Sequence, residues 1–103
     1  MAYEDVRDGL RGTATGILTP FHDDGSIDHD AIRANVEELY DRGARTFLAT
    51  ANISEYHSLS QAERIAVTET PLDVLPEDAT VLAGVGGSTA DAIELIEGYE
   101  AAG

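Results

Sequence analysis

A chain of 103 residues with 43% hydrophobic content holds enough apolar material for one small domain, which excludes a charged, disordered tail. Twenty acids stand against six Lys plus Arg, a net charge of −14 that excludes a counterion-releasing nucleic-acid surface and predicts self-repulsion relieved by salt. The absence of cysteine excludes disulfides and thiol chemistry, and no apolar run approaches the length of a membrane span.

All the cations are arginines, at positions 7, 11, 33, 42, 45 and 64; lysine is missing altogether. With the acids spread along the chain, this balance reads as the solubility strategy of a salt-adapted protein rather than as a surface for a basic partner, while the missing cysteine fits a reducing cytoplasm. The opening residues Met1 to Gly12 carry acids and no apolar run, so they read as a flexible leader and not as a signal peptide.

Thr13 to Leu18 is short, β-branched at Thr13, Thr15 and Ile17, and runs into the turn-forming stretch Pro20 to Gly25, which predicts a first strand. Asp28 suits a helix N-cap, Ile32, Val36, Leu39 and Tyr40 recur at helical spacing, and Gly43 suits the position just past the helix end. Arg45 to Ala49 follows as a second strand, left by the loop Thr50 to Glu55. Ser60 with Glu63 forms a capping box that opens a second helix. A proline inside a helix costs about 3 kcal/mol or forces a kink, so Pro71 predicts a break near Thr70 and a second short turn to Leu75. Thr80 to Val85 reads as a third strand buried on both faces. Ser88 and Asp91 then cap a third helix that Ala92, Leu95, Ile96 and Tyr99 carry toward Gly103.

The order βαβαβα, with strand starts about 32 to 35 residues apart, is that of a parallel α/β fold. A doubly wound sheet usually has five or six strands and a barrel eight, so three strands are too few and leave two open edges.

Several motifs point to chemistry and fail on inspection. Gly84 to Thr89 (GVGGST) has Thr89 where a dinucleotide fingerprint needs glycine, and a P-loop needs a lysine. Asp24 to Ile27 matches the centre of a calcium loop, but the flanking ligand positions hold Pro20, His22 and Ala31. A phospho-acceptor site lacks its carboxylate at Val85 to Gly87. Ser54 or Ser58 with Glu55 and His57 all lie on one loop, whereas a triad is built from separate elements. No metal and no cofactor are expected.

Gly16 to Phe21 (GILTPF) with Asp24 to Asp28 (DGSID), Asn52 to Ser60 (NISEYHSLS) with Glu63 and Arg64, and Ala83 to Gly86 (AGVG) with Ser88 and Thr89 resemble the dihydrodipicolinate synthase and N-acetylneuraminate lyase family, in order and spacing. The resemblance covers nearly the whole chain. It implies that residues 1–103 are the incomplete N-terminal part, the first three βα units, of a single (β/α)8 TIM barrel. Members are usually homotetramers that join a lysine to the ketone of pyruvate or another small 2-oxo acid as a Schiff base.

In that family the loop after the second strand usually reads Gly-Thr-Thr-Gly-Glu and binds the substrate carboxylate. Here the aligned residues are Ala51 to Glu55 (ANISE): Asn52 and Ile53 replace the threonines, and Glu55 keeps the acid. An asparagine amide hydrogen-bonds a carboxylate but does not relay a proton as a hydroxyl does. The resemblance therefore favours the branch acting on 2-keto-3-deoxy sugar acids, by aldol cleavage or dehydration, over dihydrodipicolinate synthase itself. Barrel active sites sit at the C-terminal ends of the strands, so Thr19, Asn52, Ile53 and Gly86 are the expected substrate-binding residues. The alternative for Asn52 is a loop asparagine bonded to its own backbone. The family's lysine and partner tyrosine come from later strands; arginine, always protonated, does not replace the amine, and no catalytic residue is expected within residues 1–103. The competing reading is a non-catalytic barrel fragment that assembles through its open sheet edges.

Overall fold

The computed structural model describes residues 3–103. A short helix α1 (Tyr3–Gly9) precedes strand β1 (Ala14–Gly16), helix α2 (His29–Asp41), strand β2 (Thr46–Leu48), helix α3 (Gln61–Leu72), strand β3 (Thr80–Leu82) and helix α4 (Thr89–Ala102). The strands are parallel in the order β1-β2-β3, with Thr15, Phe47 and Val81 side by side.

Alternation along the strands sends Phe47, Ile17 and Ala49 to the helix-covered face, where they pack with Ile32 and Val36 of α2, Leu59, and Val67 of α3. Phe47 and Val36 are fully buried. The opposite face is open: Leu18 is 57% exposed, and Leu48 and Leu82 are only partly buried. This corrects the expectation that Thr80 to Val85 is buried on both faces. The ladder of β3 also ends at Leu82, because the Gly84 N–H is taken by the Thr50 hydroxyl (2.6 Å) instead of by backbone.

The local signals act as expected at the helix starts. Asp28 Oδ1 accepts from Ala31 N–H at 3.0 Å, and Gly43 follows α2 with a φ of 108°. Glu63 N–H donates to Ser60 Oγ while Ser60 N–H donates to Glu63 Oε1, the reciprocal pair that satisfies two orphan donors of α3. Ser88 Oγ accepts from Asp91 N–H in the same way for α4.

Two further expectations need correcting. There is no break near Thr70: α3 runs through Pro71 to Leu72, and the turn comes after it. Pro71 stands in the last turn, where its carbonyl accepts from the N–H groups of Val74 and Leu75, and Thr70 Oγ1 donates back to Ala66 O at 2.9 Å. The opening residues are likewise no flexible leader from Tyr3 onward. Helix α1 docks its last residue on the N-terminal ends of β2 and β3: Thr46 Oγ1 donates to Gly9 O, and a Cβ on Gly9 would clash with Thr80 Oγ1.

Candidate functional site

All three strands run out at one end of the sheet, and the segment after β2 crosses there as two 3-10 turns, Asn52–Ser54 and Tyr56–Ser58. Glu55 joins them in the left-handed conformation (φ 65°), uncommon for a residue other than glycine. Ser54 N–H donates to Ala51 O at 3.0 Å and Glu55 N–H to Asn52 O at 3.1 Å, which closes the first turn.

Thr19, just past β1, is 7% exposed and donates its hydroxyl to Ser54 O at 2.6 Å. Ser54 is fully buried and donates its own hydroxyl to Ile17 O. Gly86 meets the loop from the other flank: a Cβ there would lie 2.8 Å from the Tyr56 hydroxyl. Asn52 and Ile53 face outward, Ile53 60% exposed, with its Cγ2 2.7 Å from where a Cβ on Gly16 would stand. The four residues singled out in the sequence thus gather at one end of the sheet, but in two roles. Thr19 and Gly86 contact the loop from beneath and beside it, while Asn52 and Ile53 present themselves at its crest. The N–H groups of Asn52 and Ile53 take no backbone partner among the described residues.

Three further residues shape the site in roles that the sequence reading did not assign to them. Thr50 ties β2 to Gly84, Ser54 ties the loop to β1, and Tyr56 wedges the loop against Gly86. The Tyr56 ring lies under the Arg64 guanidinium (3.9 Å), whose Nε donates to Tyr56 O at 3.0 Å, and its buried hydroxyl has no hydrogen-bond partner among the described residues. Beside them Tyr99 donates to Gly84 O at 2.8 Å, and burial pushes its phenol pKa up. Only the helical spacing of Ser60, Glu63 and Arg64 hinted that Arg64 turns back toward this loop.

Chemically the crest offers an amide side chain, two backbone donors and an apolar isoleucine. That set can hold a carboxylate by neutral hydrogen bonds; the Arg64 charge is engaged with Tyr56. Among the described residues no three His, Asp or Glu side chains converge on a common point that would hold a metal ion, and no helix is long and apolar enough to cross a membrane.

Comparison with known proteins follows the same outline. The model of the dihydrodipicolinate synthetase family matches residues 9–103. The chain is 40% identical over 87 residues to a 4-hydroxy-tetrahydrodipicolinate synthase of Methanothrix thermoacetophila, covering 84% of this chain and 29% of that protein. It is 34% identical over 87 residues to a probable 5-dehydro-4-deoxyglucarate dehydratase of Oceanobacillus iheyensis, covering 81% of this chain and 28% of that one. The crystal structure of dihydrodipicolinate synthase from Bacillus clausii superposes with a TM-score of 0.89 and 31% identity, over 95% of this chain and 33% of its own. A 2-keto-3-deoxygluconate aldolase variant from Sulfolobus solfataricus superposes with a TM-score of 0.72 and 29% identity, over 80% of this chain and 27% of its own. The chain therefore spans under a third of the curated relatives' length, and its sheet and helices are the first three βα units of a (β/α)8 TIM barrel.

Proposed function

The chain belongs to the dihydrodipicolinate synthetase family, and from that premise we propose that residues 1–103, as the N-terminal part of a single barrel domain, supply the carboxylate-binding side of a Schiff-base lyase. One observation carries this reading: at the C-terminal end of the sheet, the end at which barrel enzymes work, Asn52 and Ile53 hold an exposed amide and two N–H groups that have no backbone partner among the described residues. A small 2-oxo acid docks its carboxylate there, with Thr19 and Gly86 fixing the loop beneath it. Its ketone then faces the barrel axis. These residues contain no lysine, so the imine-forming amine lies outside them.

Asn52 supports a 2-keto-3-deoxy sugar acid as substrate, cleaved or dehydrated, because an amide binds a carboxylate without relaying a proton. The chain is similar to synthases as well as to a dehydratase and a 2-keto-3-deoxygluconate aldolase, so the choice of branch rests on Asn52. The acid excess supports a salt-adapted protein, the missing cysteine a cytoplasmic one, and the family resemblance a homotetramer in full length.

The test is borohydride trapping with pyruvate, after this chain is joined to a lysine-bearing remainder of the barrel. A pyruvyl adduct is expected on a lysine outside residues 1–103. Asn52→Ala is expected to raise the KM for the 2-oxo acid about tenfold or more, the range of a lost hydrogen bond to a charged group. An adduct on residues 1–103, or an unchanged KM, overturns the reading; formation of 4-hydroxy-tetrahydrodipicolinate overturns the choice of branch.

A further inference from the structure

The segment carrying Asn52 and Ile53 is held to the end of β1 by two reciprocal hydrogen bonds that span 35 and 37 residues of sequence. Thr19 donates to the carbonyl of Ser54, and Ser54 donates to the carbonyl of Ile17. Ile17 N–H still pairs with Leu48 O at 3.0 Å, so the Ser54 hydroxyl takes over the Ile17 carbonyl where β1 leaves the sheet. Both hydroxyls are buried, so removing either leaves a buried carbonyl without its partner. We infer that Thr19 and Ser54 form a clasp whose task is to position the Asn52 and Ile53 N–H groups, which makes both of them positioning residues; this rests on the loop being the carboxylate site.

The placement of the clasp supports that role. It grips the turn at Ser54, directly after the two donors, while Tyr56 against Gly86 grips it on the other flank. From Asn52 to Tyr56 only Asn52, Ile53 and Glu55 are exposed, and the two gripped residues are buried. Thr19 then acts on a ligand through the loop, its hydroxyl hydrogen being committed to Ser54 O.

The experiment uses the ¹⁵N-labelled chain in high salt, with amide hydrogen exchange and a titration with sodium pyruvate, for the wild type and for Ser54→Ala, Thr19→Val and Thr19→Ser. Ser54→Ala and Thr19→Val are each expected to speed exchange at the Ser54 and Glu55 amides about tenfold, leaving α2 and α4 unchanged, and to weaken the pyruvate-induced shifts at Asn52 and Ile53 by a similar factor. Thr19→Ser, which keeps the hydroxyl, is expected to restore both. Should Ser54→Ala fail to fold, Thr19→Val breaks the other half of the same clasp. Loop exchange unchanged in the hydroxyl-deleted variants overturns the clasp, whatever pyruvate does. Faster loop exchange with no pyruvate shifts in the wild type overturns the carboxylate site, and with it the positioning task, while the clasp itself stands.

Discussion

Asp24 and Ser54 are both polar residues whose behaviour is set by a hydrogen bond, and they differ in where the partner lies. Asp24 accepts from the N–H and the hydroxyl of Ser26, at 2.9 and 2.6 Å, two residues along the chain. The Ser26 hydroxyl, with its N–H second, holds the Asp24 pKa below the ordinary carboxylate value. A carboxyl lowered by folding binds its proton less readily folded than unfolded. Its stabilisation of the turn is therefore present above the ordinary Asp pKa of about 3.9 and is lost as pH falls through the lower folded value. Ser26→Ala is expected to move the Asp24 titration, followed by its carboxyl carbon resonance, up toward the ordinary value; an unmoved midpoint contradicts the assignment. The run Asp24-Gly-Ser was legible as a turn because its bonds are local. Ser54 was not legible as a clasp, because Ile17 stands 37 residues away.

The helices repeat that contrast. Caps at Asp28, Ser60 and Ser88 were readable because a cap joins residues three apart. Pro71 was misread, since whether a proline breaks a helix depends on how much helix remains after it, and here one residue does. Helix α1 was missed for a tertiary reason: its last residue contacts the buried Thr46 and Thr80, on strands far along the chain. Gly9→Ala tests that docking. The added methyl meets Thr80 Oγ1, and a cost of about 1–3 kcal/mol is expected, as for other overpacked contacts. Amide exchange should accelerate throughout α1 while the Ser60 and Ser88 caps stay protected; an unchanged α1 means that the helix does not depend on this approach.

For the whole molecule the governing number is the net charge of −14 on a domain with a small core and one open sheet face. Screening shrinks the reach of each charge from about 10 Å at 0.1 M salt to about 3 Å at 1 M, so potassium chloride is expected to raise the melting temperature by several degrees over that range. An uncharged osmolyte should not reproduce the low-salt part of the rise, and a flat response to salt removes self-repulsion as the limiting term. The sequence by itself determined the βαβαβα order that follows α1, the caps and the family, because spacing, capping chemistry and motif order are properties of neighbours in the chain. It also placed Thr19, Asn52, Ile53 and Gly86 at one end of a sheet, through the rule that parallel strands all end on the same side. Only the tertiary structure decided which of these grip the loop and which face outward. That choice depends on hydroxyl and carbonyl groups more than thirty residues apart, which find each other only once β1, β2 and β3 are side by side.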